Sequence, residues 1–312
     1  MTASPKPEAQ GGQAGIPDRG VLAIDKESGP TSHDVVAVLR RLLGVRRVGH
    51  CGTLDPLATG VLIVCFGRYT RLADWIAAGE KEYAATFHLG VDSETGDGEG
   101  PLLPREVDEP PGPGRVREAL GAFTGPIDQV PPAHSAVKVS GVASYRLARR
   151  DRAVELKPRR VHIHRLDLVR YAYPLLEVNV VCSKGTYIRS LAADLGRDLG
   201  CGAYVDQLRR RRVGEVGLDS AHTVAAIGDS VAGGAGRLLI PPDRALSHLE
   251  SVHLDGEAGR LFAHGGCVPA AAGKAQSPCA VYGPHGRLLG IARRGDDGSA
   301  LVSQCVVGDA DG

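Results

Sequence analysis

The sequence has 312 residues, of which 43% are hydrophobic and 23% are charged, the mixture of an ordinary globular chain that can bury a sizeable core. Its 37 basic and 36 acidic residues give a net charge of +1, so the total charge does not indicate a nucleic-acid partner, and only the distribution of the charges can. Since the sequence contains no apolar run of about eighteen residues and no signal peptide, we expect a cytoplasmic protein that contacts no membrane.

The first predicted elements follow a short tail. Residues 1–17 are rich in Pro, Gly, Gln and Ala, and we expect them to be disordered. A strand is predicted over residues 20–25. Thr31 or Ser32 can cap the helix that comes next, and Gly44 can end it. The apolar face of this helix is predicted from helical spacing to contain Val35, Val38, Leu39 and Leu42.

The next part of the chain mixes loops, strands and one helix. A loop is predicted over residues 49–60, and strands are predicted over residues 61–65 and 83–89. Residues 92–114 are acidic and rich in Gly and Pro, which indicates a loop or hinge. A short helix is predicted over residues 116–123.

Two more elements are predicted from residue spacing. Apolar residues alternate over residues 176–182, as in a half-buried strand. Leucines over residues 191–199 indicate a helix that ends at Gly200. The pattern leaves open whether Tyr187 and Arg189 are in extended or helical backbone, and so whether their side chains share a face.

The sequence pattern changes in the C-terminal part of the chain. The apolar run at residues 238–242 is stopped by two prolines, which indicates a linker. Beyond Val252, short apolar runs alternate with Gly and Pro turns, as in a small all-β module. Since strands and helices mix without regular alternation along the chain, the predicted fold class is α+β.

The cysteines indicate no binding site, whereas the basic residues indicate contacts with phosphates. The seven cysteines show no C-x-x-C spacing and no cluster with histidine, so we expect reduced thiols and no metal site. The segment from Lys138 to Arg165 contains nine basic residues, opposed only by Asp151 and Glu155. A solvated charged face is one interpretation, but so large an excess of one sign favours contacts with phosphates. Two smaller basic clusters comprise Arg40, Arg41, Arg46 and Arg47, and Arg209, Arg210, Arg211 and Arg212.

Asp55 is the candidate catalytic residue. It precedes Pro56 in a loop framed by Gly49, Gly52 and Gly60, where glycines allow a substrate to approach the backbone closely. An isolated Asp-Pro would more often be a turn residue that binds its own backbone. The order of residues around Asp55 is what favours a catalytic role.

The stretch GHCGTLDPLATGVL, residues 49–62, resembles the catalytic motif of the TruB family of tRNA pseudouridine-55 synthases. Other pieces of the chain resemble motifs of that family in the same order, and together they cover about residues 20–215. They are GVLAIDK and GPTS upstream, and KEY, VPP to Lys138, CSKGTYIR and LRR downstream.

The resemblance implies an α+β pseudouridine synthase fold with a mixed, largely antiparallel central sheet. It implies a catalytic domain at residues 18–245, with an RNA-gripping thumb at about 131–160. A small C-terminal β-rich, PUA-like RNA-binding domain is expected at residues 250–312.

The resemblance also implies roles for individual residues. Asp55 is implied to be the catalytic carboxylate and Arg189 its ion-pair partner, and Tyr83 is implied to stack on the uracil and act as base. Tyr187 and Leu208 are implied to line the uracil pocket. Two further expected substrate contacts are His50, which would hold the rearranged T loop, and Lys26, for which an ordinary exposed lysine is the alternative. The residues expected to contact RNA phosphates are Arg46, Arg47, Lys138, Arg149, Arg150, Arg152, Arg209 and Arg210.

The implied reaction converts uridine-55 in the T loop of tRNA to pseudouridine. It breaks the N1–C1′ bond, rotates the base and joins C5 to C1′, so no cofactor or metal is expected. The expected partner is the T arm of tRNA, and the expected state is a monomer. One alternative is a tRNA-binding or tRNA-folding protein in which catalysis is secondary. Another is a guide-RNA-dependent synthase, although the long lysine-rich extensions typical of that class are absent here.

Overall fold

The computed structural model describes residues 17–132, 138–139, 142–143, 156–231, 235–269 and 277–308. Most of the expected N-terminal tail and of the expected thumb therefore lies outside the described residues. Arg149, Arg150 and Arg152 are among the residues that are not described. Lys138 lies in a short strand, but its side chain is not described.

The described strands and helices, in chain order, have the following bounds. The strands are β1 (Gly20–Lys26), β2 (Val48–His50), β3 (Thr59–Phe66), β4 (Lys81–Leu89), β5 (Val91–Ser93), β6 (Leu102–Pro104), β7 (Gly125–Gln129), β8 (Lys138–Val139), β9 (Val142–Ala143), β10 (Arg159–Ala172), β11 (Leu175–Cys182), β12 (Ala203–Val213), β13 (Val216–Gly217), β14 (Glu250–His253), β15 (Val268–Pro269), β16 (Pro278–Tyr282), β17 (Leu288–Arg294) and β18 (Ala300–Val306). The α-helices are α1 (Ser32–Leu43), α2 (Ala73–Ile76), α3 (Pro113–Ala122), α4 (Ile188–Asp198), α5 (Val224–Val231), α6 (Pro242–Ala245) and α7 (Gly256–Ala263).

A mixed sheet forms the centre of the protein. Its main path runs β1-β3-β12-β4-β11-β10-β7, with β2 paired to β3 and β13 paired to β12. All these pairs are antiparallel except β12 with β3, which confirms the predicted mixed and largely antiparallel sheet. The parallel pair places Arg210 opposite Gly60. A Cβ at Gly60, which has φ +97°, would lie 2.2 Å from the Arg210 carbonyl oxygen, so only glycine fits there.

The main core lies on one face of this sheet. Along β4, buried and half-buried residues alternate, and Tyr83, Ala85, Phe87 and Leu89 all point into the core. Helices α1 and α4 supply their apolar faces to the same core. Burying these side chains stabilises the fold by about 25 cal/mol for each Å² of apolar surface removed from water.

Helix α1 begins and ends where the sequence predicts. Thr31 and Asp34 form a reciprocal capping box, and Gly44 has φ +63° at the C-terminal end. The predicted apolar face is correct for Val35 and Leu39 but wrong for Val38 and Leu42, which are only half-buried. The buried positions beside Val35 and Leu39 are Ser32, Val36 and Leu43. Leu42 instead lies beside Gly228 of α5, because a second helix packs against that side of α1.

Two predicted loops contain strands. His50 belongs to β2, within the predicted loop at residues 49–60. The acidic segment at residues 92–114 contains the β5–β6 hairpin and the start of α3. These strands were missed because each has only three residues, too few for a period of two to be visible in the sequence.

The segment at residues 238–242 is packed rather than a free linker. Ile240 is buried, and its N–H donates to the Val21 carbonyl at 2.8 Å. Beyond it, β14-β16-β17-β18-β15 form a second sheet, which confirms a β-rich C-terminal domain. The prediction of an all-β module was wrong for α7, whose N-cap Asp255 accepts from the Ala258 N–H. Buried residues of this domain, including Ile291, join one apolar cluster with Ile63 and its neighbours on β3.

No helix in the described part of the chain is long and apolar enough to cross a membrane.

Candidate active site

The loop that carries Asp55 is held on both sides of that residue. Ser32 Oγ donates to the Leu54 carbonyl and accepts from the Leu54 N–H, both at 2.8 Å. After Asp55, the Ala58 N–H donates to the Asp55 carbonyl at 3.1 Å. These bonds fix the backbone on both sides of Asp55 without any ligand, as a preorganised site requires.

Lys26 supports this loop from beneath. Its side chain is 1% exposed, and Nζ donates to the carbonyls of Glu27, Pro56 and Ala58 at 2.9, 3.1 and 2.7 Å. Burial lowers the pKa of Lys26, and the negative charge of Asp55 opposes that change. The prediction of a substrate contact and the alternative of an exposed lysine are both wrong, because all these donors point into the protein.

Arg189 binds the carboxylate of Asp55 through two nitrogens. Arg189 Nε lies 3.0 Å from Asp55 Oδ2, and Nη2 lies 3.1 Å from Oδ1. Such a paired contact fixes the orientation of both groups as well as attracting them. The Arg189 side chain is 6% exposed, while that of Asp55 is 32% exposed and faces the pocket. The structure thus brings together the two residues expected to pair.

Asp97 is a second carboxylate partner of Arg189, and it was not predicted from the sequence. Its Oδ2 lies 3.3 Å from Arg189 Nη1, which also donates to the Thr95 carbonyl at 2.9 Å. The second oxygen of Asp97 accepts from the Thr95 hydroxyl and from the Glu99 N–H. Asp97 was hidden among the acidic residues of a predicted loop. The β5–β6 hairpin and a bridge from Asp97 to Val205 of β12 bring it to Arg189.

Burial raises the pKa of the Asp55 carboxyl above its ordinary value. The charge and hydrogen bonds of Arg189 act in the opposite direction, and the nearby charge of Asp97 raises the pKa further. Arg189 therefore favours the ionised form of Asp55, which burial disfavours.

Asp55 lines a pocket with a volume of about 630 Å³. Tyr83 and Leu208 line it and are 8% and 7% exposed. Burial raises the pKa of the Tyr83 hydroxyl, and the charge of Arg210 opposes that change. The lining residues also include Gly52, Thr53, Lys81, Lys184, Tyr187, Arg189 and Arg210. A pocket of this size with an aromatic wall can accept a single base turned out of a nucleic-acid stack.

Tyr187 marks the start of α4. Its backbone is extended, and the helix begins at Ile188, so Arg189 lies in the first turn. Gln129 fixes this junction: its Oε1 accepts from the Tyr187 N–H at 3.0 Å, and its Nε2 donates to the Tyr187 carbonyl at 3.3 Å. The question left open by the sequence is resolved because extended and helical backbone meet between Tyr187 and Arg189, and both side chains line the pocket.

His50 lies on β2, just before the Asp55 loop. Its ring meets that of His33 edge-on, with centroids 5.2 Å apart. Burial lowers the pKa of His50, and the charges of His33 and Arg210 act in the same direction, which favours the neutral ring. Its buried Nδ1 has no hydrogen-bond partner within the described residues, which leaves a polar atom for an incoming ligand.

The expected RNA contacts fall into different environments. Arg46 and Arg47 are exposed just beyond the end of α1. Arg209 is 41% exposed and pairs with Asp25 at 2.8 Å. Arg210 is 1% exposed and donates to backbone carbonyls, so the prediction that it lies on an RNA-binding surface is wrong.

No group of three or more His, Cys, Asp or Glu side chains within the described ranges could hold a metal ion.

Comparison with known proteins agrees with the fold. The model of the TruB family pseudouridylate synthase N-terminal domain matches residues 40–188, and that of the tRNA pseudouridylate synthase B C-terminal domain matches residues 189–247. The tRNA pseudouridine synthase B of Thiobacillus denitrificans is 43% identical over 274 residues, which cover 88% of this chain and 91% of that protein. The enzyme of the same name from Thermobifida fusca is 42% identical over 292 residues, 91% of this chain and 97% of its own.

A solved structure shows the same fold. A chain in the crystal structure of a Cbf5-Nop10-Gar1 complex superposes with a TM-score of 0.76 at 26% identity, covering 94% of this chain and 86% of that one. Together with the two family models and the two relatives, this likeness confirms the resemblance seen in the sequence motifs. The chain belongs to the TruB family of pseudouridylate synthases.

Proposed function

We propose that this protein is a tRNA pseudouridine synthase that converts uridine-55 of the T loop to pseudouridine in the cytoplasm. The observation that carries the proposal is the carboxylate of Asp55, held by two nitrogens of Arg189 at the wall of a pocket that also contains Tyr83. The relatives named tRNA pseudouridine synthase B support the same substrate class. The reaction is an isomerisation with no redox change and no group gained or lost, so we propose that it needs no cofactor or metal.

Asp55 starts the reaction in its ionised form. It acts either as a nucleophile towards the sugar or the base, or as a base that removes a proton, and the N1–C1′ bond breaks. Both routes need a carboxylate at the pocket wall. Arg189 provides for this, because its charge favours the ionised form that burial disfavours.

Tyr83 completes the reaction. After the uracil turns and C5 joins C1′, C5 carries one proton too many, and the Tyr83 oxygen removes it. N1 ends the reaction protonated, so the product has the same atoms as the substrate. The ring of Tyr83 and the side chain of Leu208 replace the stacking partners that the uracil loses when it leaves the RNA.

RNA docking uses other parts of the chain. We propose that His50 contacts the rearranged T loop, and that Arg46 and Arg47 contact phosphates of the T arm, since both arginines are exposed close to β2. The thumb at about 131–160 and the C-terminal domain at residues 250–312 would grip the RNA in addition. The unit that acts is a monomer.

The proposed activity is tested by tritium release. A tRNA transcript that carries [5-³H]uridine loses tritium to water when C5 becomes bonded to C1′. The proposal predicts release with the purified protein alone. A protein that only binds or folds tRNA would retain the transcript on a filter and release no tritium, which is the outcome that favours the second candidate function.

Neutralising Asp97 should slow the reaction. In Asp97→Asn, Arg189 loses a carboxylate partner and is held less firmly, although its charge stays beside Asp55; a misplacement of about 1 Å costs about 10²-fold in rate. The charge of Asp97 raises the pKa of Asp55, so the acid limb of the pH–rate profile should move to lower pH. Single-turnover rates across pH measure both effects. Asp108→Asn, at an exposed position, is the matched control. Unchanged rates in Asp97→Asn would show that Asp97 does not contribute to the reaction.

Neutralising Arg46 and Arg47 should weaken RNA binding and leave the pocket intact. For each phosphate that the protein no longer neutralises, the slope of log affinity against log salt should decrease by about 0.7 to 0.9. Filter binding of tRNA over a salt series gives this slope for the double variant Arg46→Gln and Arg47→Gln. The rate of pseudouridine formation at saturating enzyme should fall much less than the affinity for tRNA.

Arg117→Gln, at an exposed position on α3 outside the three basic clusters, controls for the loss of positive charge in general. If the double variant and this control have the same salt slope as the unaltered protein, Arg46 and Arg47 are solvated charges and do not bind phosphates.

A further inference from the structure

Arg210 is a second arginine in the site, and its placement suggests a role that RNA docking does not explain. It is 1% exposed, and it lines the pocket that contains Asp55 and Tyr83. Within the sheet, Arg210 of β12 lies directly opposite Tyr83 of β4 in the antiparallel register. Burying an arginine costs folding free energy unless its N–H groups are hydrogen-bonded and its charge is stabilised. The contacts of Arg210 therefore indicate its role.

The guanidinium binds the backbone of the catalytic loop. Nη2 donates to the Gly52 carbonyl at 3.0 Å, Nη1 to the Thr53 carbonyl at 3.3 Å, and Nε to the Val61 carbonyl at 2.7 Å. These bonds grip the chain just before and just after the turn that carries Asp55. All three acceptors are neutral carbonyls, so no carboxylate in these contacts cancels the positive charge.

That charge acts on Tyr83. Arg210 and Tyr83 are paired across β12 and β4 and line the same pocket, where the charge of Arg210 favours the phenolate. Burial disfavours the phenolate most strongly, and the nearby charges of Cys182 and Asp55 disfavour it as well. Arg210 is the cation that favours the ionised form among the groups that act on Tyr83.

We propose that Arg210 is a positioning residue that holds the Asp55 loop and, through its charge, makes Tyr83 a competent base. This inference rests on the proposed function, in which Tyr83 removes the C5 proton. In that step the C5–H bond breaks and its proton passes to the Tyr83 oxygen, while its electron pair forms the C5=C6 double bond. The N1=C6 double bond of the rotated base becomes a single bond, and its electron pair moves to N1, which takes up a proton from water. The proton on Tyr83 then leaves to water.

The test measures the ionisation of residue 83 directly. Fluorotyrosine incorporated at the tyrosine positions lowers their phenol pKa values into a range where the protein stays folded, and ¹⁹F NMR follows each titration. The signal of residue 83 is assigned by its absence in Tyr83→Phe. The inference predicts that Arg210→Met raises the pKa of this residue by about one pH unit or more. Arg210→Lys, which keeps a positive charge, should raise it less.

Two further variants make the result decisive. Arg211→Met removes an exposed neighbour that contacts Asn179 instead of the catalytic loop, and it should leave the titration of residue 83 unchanged. If Arg210→Met does not fold, Arg210→Gln takes its place, because it keeps hydrogen-bond donors and loses the charge.

Single-turnover pseudouridine formation by the same proteins separates two kinds of failure. If the unaltered protein forms no pseudouridine, the proposed function fails whatever the titration shows. If it forms pseudouridine and the pKa of residue 83 is the same with and without the charge at position 210, the inference about Arg210 is overturned.

Discussion

Asp55→Asn is expected to reduce single-turnover pseudouridine formation by at least about 10⁴-fold, the scale on which removing a catalytic nucleophile or base acts. The substitution keeps the shape of the side chain and removes its charge, so neither attack nor proton removal is possible. Arg189 keeps Asp97 and the Thr95 carbonyl as partners, so the pocket should stay folded. The measurement is the rate at saturating enzyme with a labelled tRNA transcript.

Binding distinguishes a catalytic Asp55 from a structural one. Filter binding of tRNA should be unchanged in Asp55→Asn, and Asp108→Asn should behave like the unaltered protein in both assays. If Asp55→Asn converts uridine at nearly the normal rate, the catalytic assignment is wrong. If it loses tRNA binding as well, Asp55 has a structural role in the loop.

The pH dependence of the unaltered protein follows from the same group. Because burial raises the pKa of Asp55, its carboxylate becomes protonated at a higher pH than an ordinary aspartate does. The rate requires the ionised form, so it should fall as the pH decreases through this raised pKa. The same shift makes ionised Asp55 a destabilising group near neutral pH, since the folded state holds the proton more tightly than the unfolded state does. The negative charge of Asp55 is thus kept at a cost in the stability of the fold.

Tyr83→Phe is expected to slow the chemistry by about 10²- to 10⁴-fold, the usual contribution of a positioned general base. The ring still stacks on the uracil, so tRNA binding should be kept. Single-turnover rates and filter binding measure the two effects separately. Tyr204→Phe is a matched control, because Tyr204 is also buried in the sheet, at 7% exposure, but stacks on His88 and is not among the residues that line the pocket. Equal rates for Tyr83→Phe and the unaltered protein would leave Tyr83 as a stacking residue alone.

The parts of the fold that the sequence predicted are those with local causes. Helix α1 has a capping box at one end and a glycine with positive φ at the other, and both are visible in the sequence. Strand β11 shows the period of two that a half-buried strand requires. The pairing of Asp55 with Arg189 was available only from the resemblance, because 134 residues separate them along the chain.

The parts that were missed depend on contacts between distant segments. Lys26 was expected to contact the substrate or to be an ordinary exposed lysine, and Arg210 was expected to contact RNA phosphates. Both side chains are buried here, because their N–H groups donate hydrogen bonds to backbone carbonyls of the Asp55 loop and of β3. Asp97 and Gln129 have no sequence signal of their own; the first is placed by a short hairpin and the second by the end of β7. Burial of a polar side chain can be predicted only when its partners are known.

We propose that the pocket around Asp55 acts on one uridine of tRNA. The most direct test maps pseudouridine at nucleotide resolution in an unmodified tRNA transcript, after incubation with the purified protein and no cofactor. The account predicts one new pseudouridine, at position 55, which is absent with Asp55→Asn. Pseudouridine at a different nucleotide, or none at all in tRNA that is demonstrably bound, would contradict it.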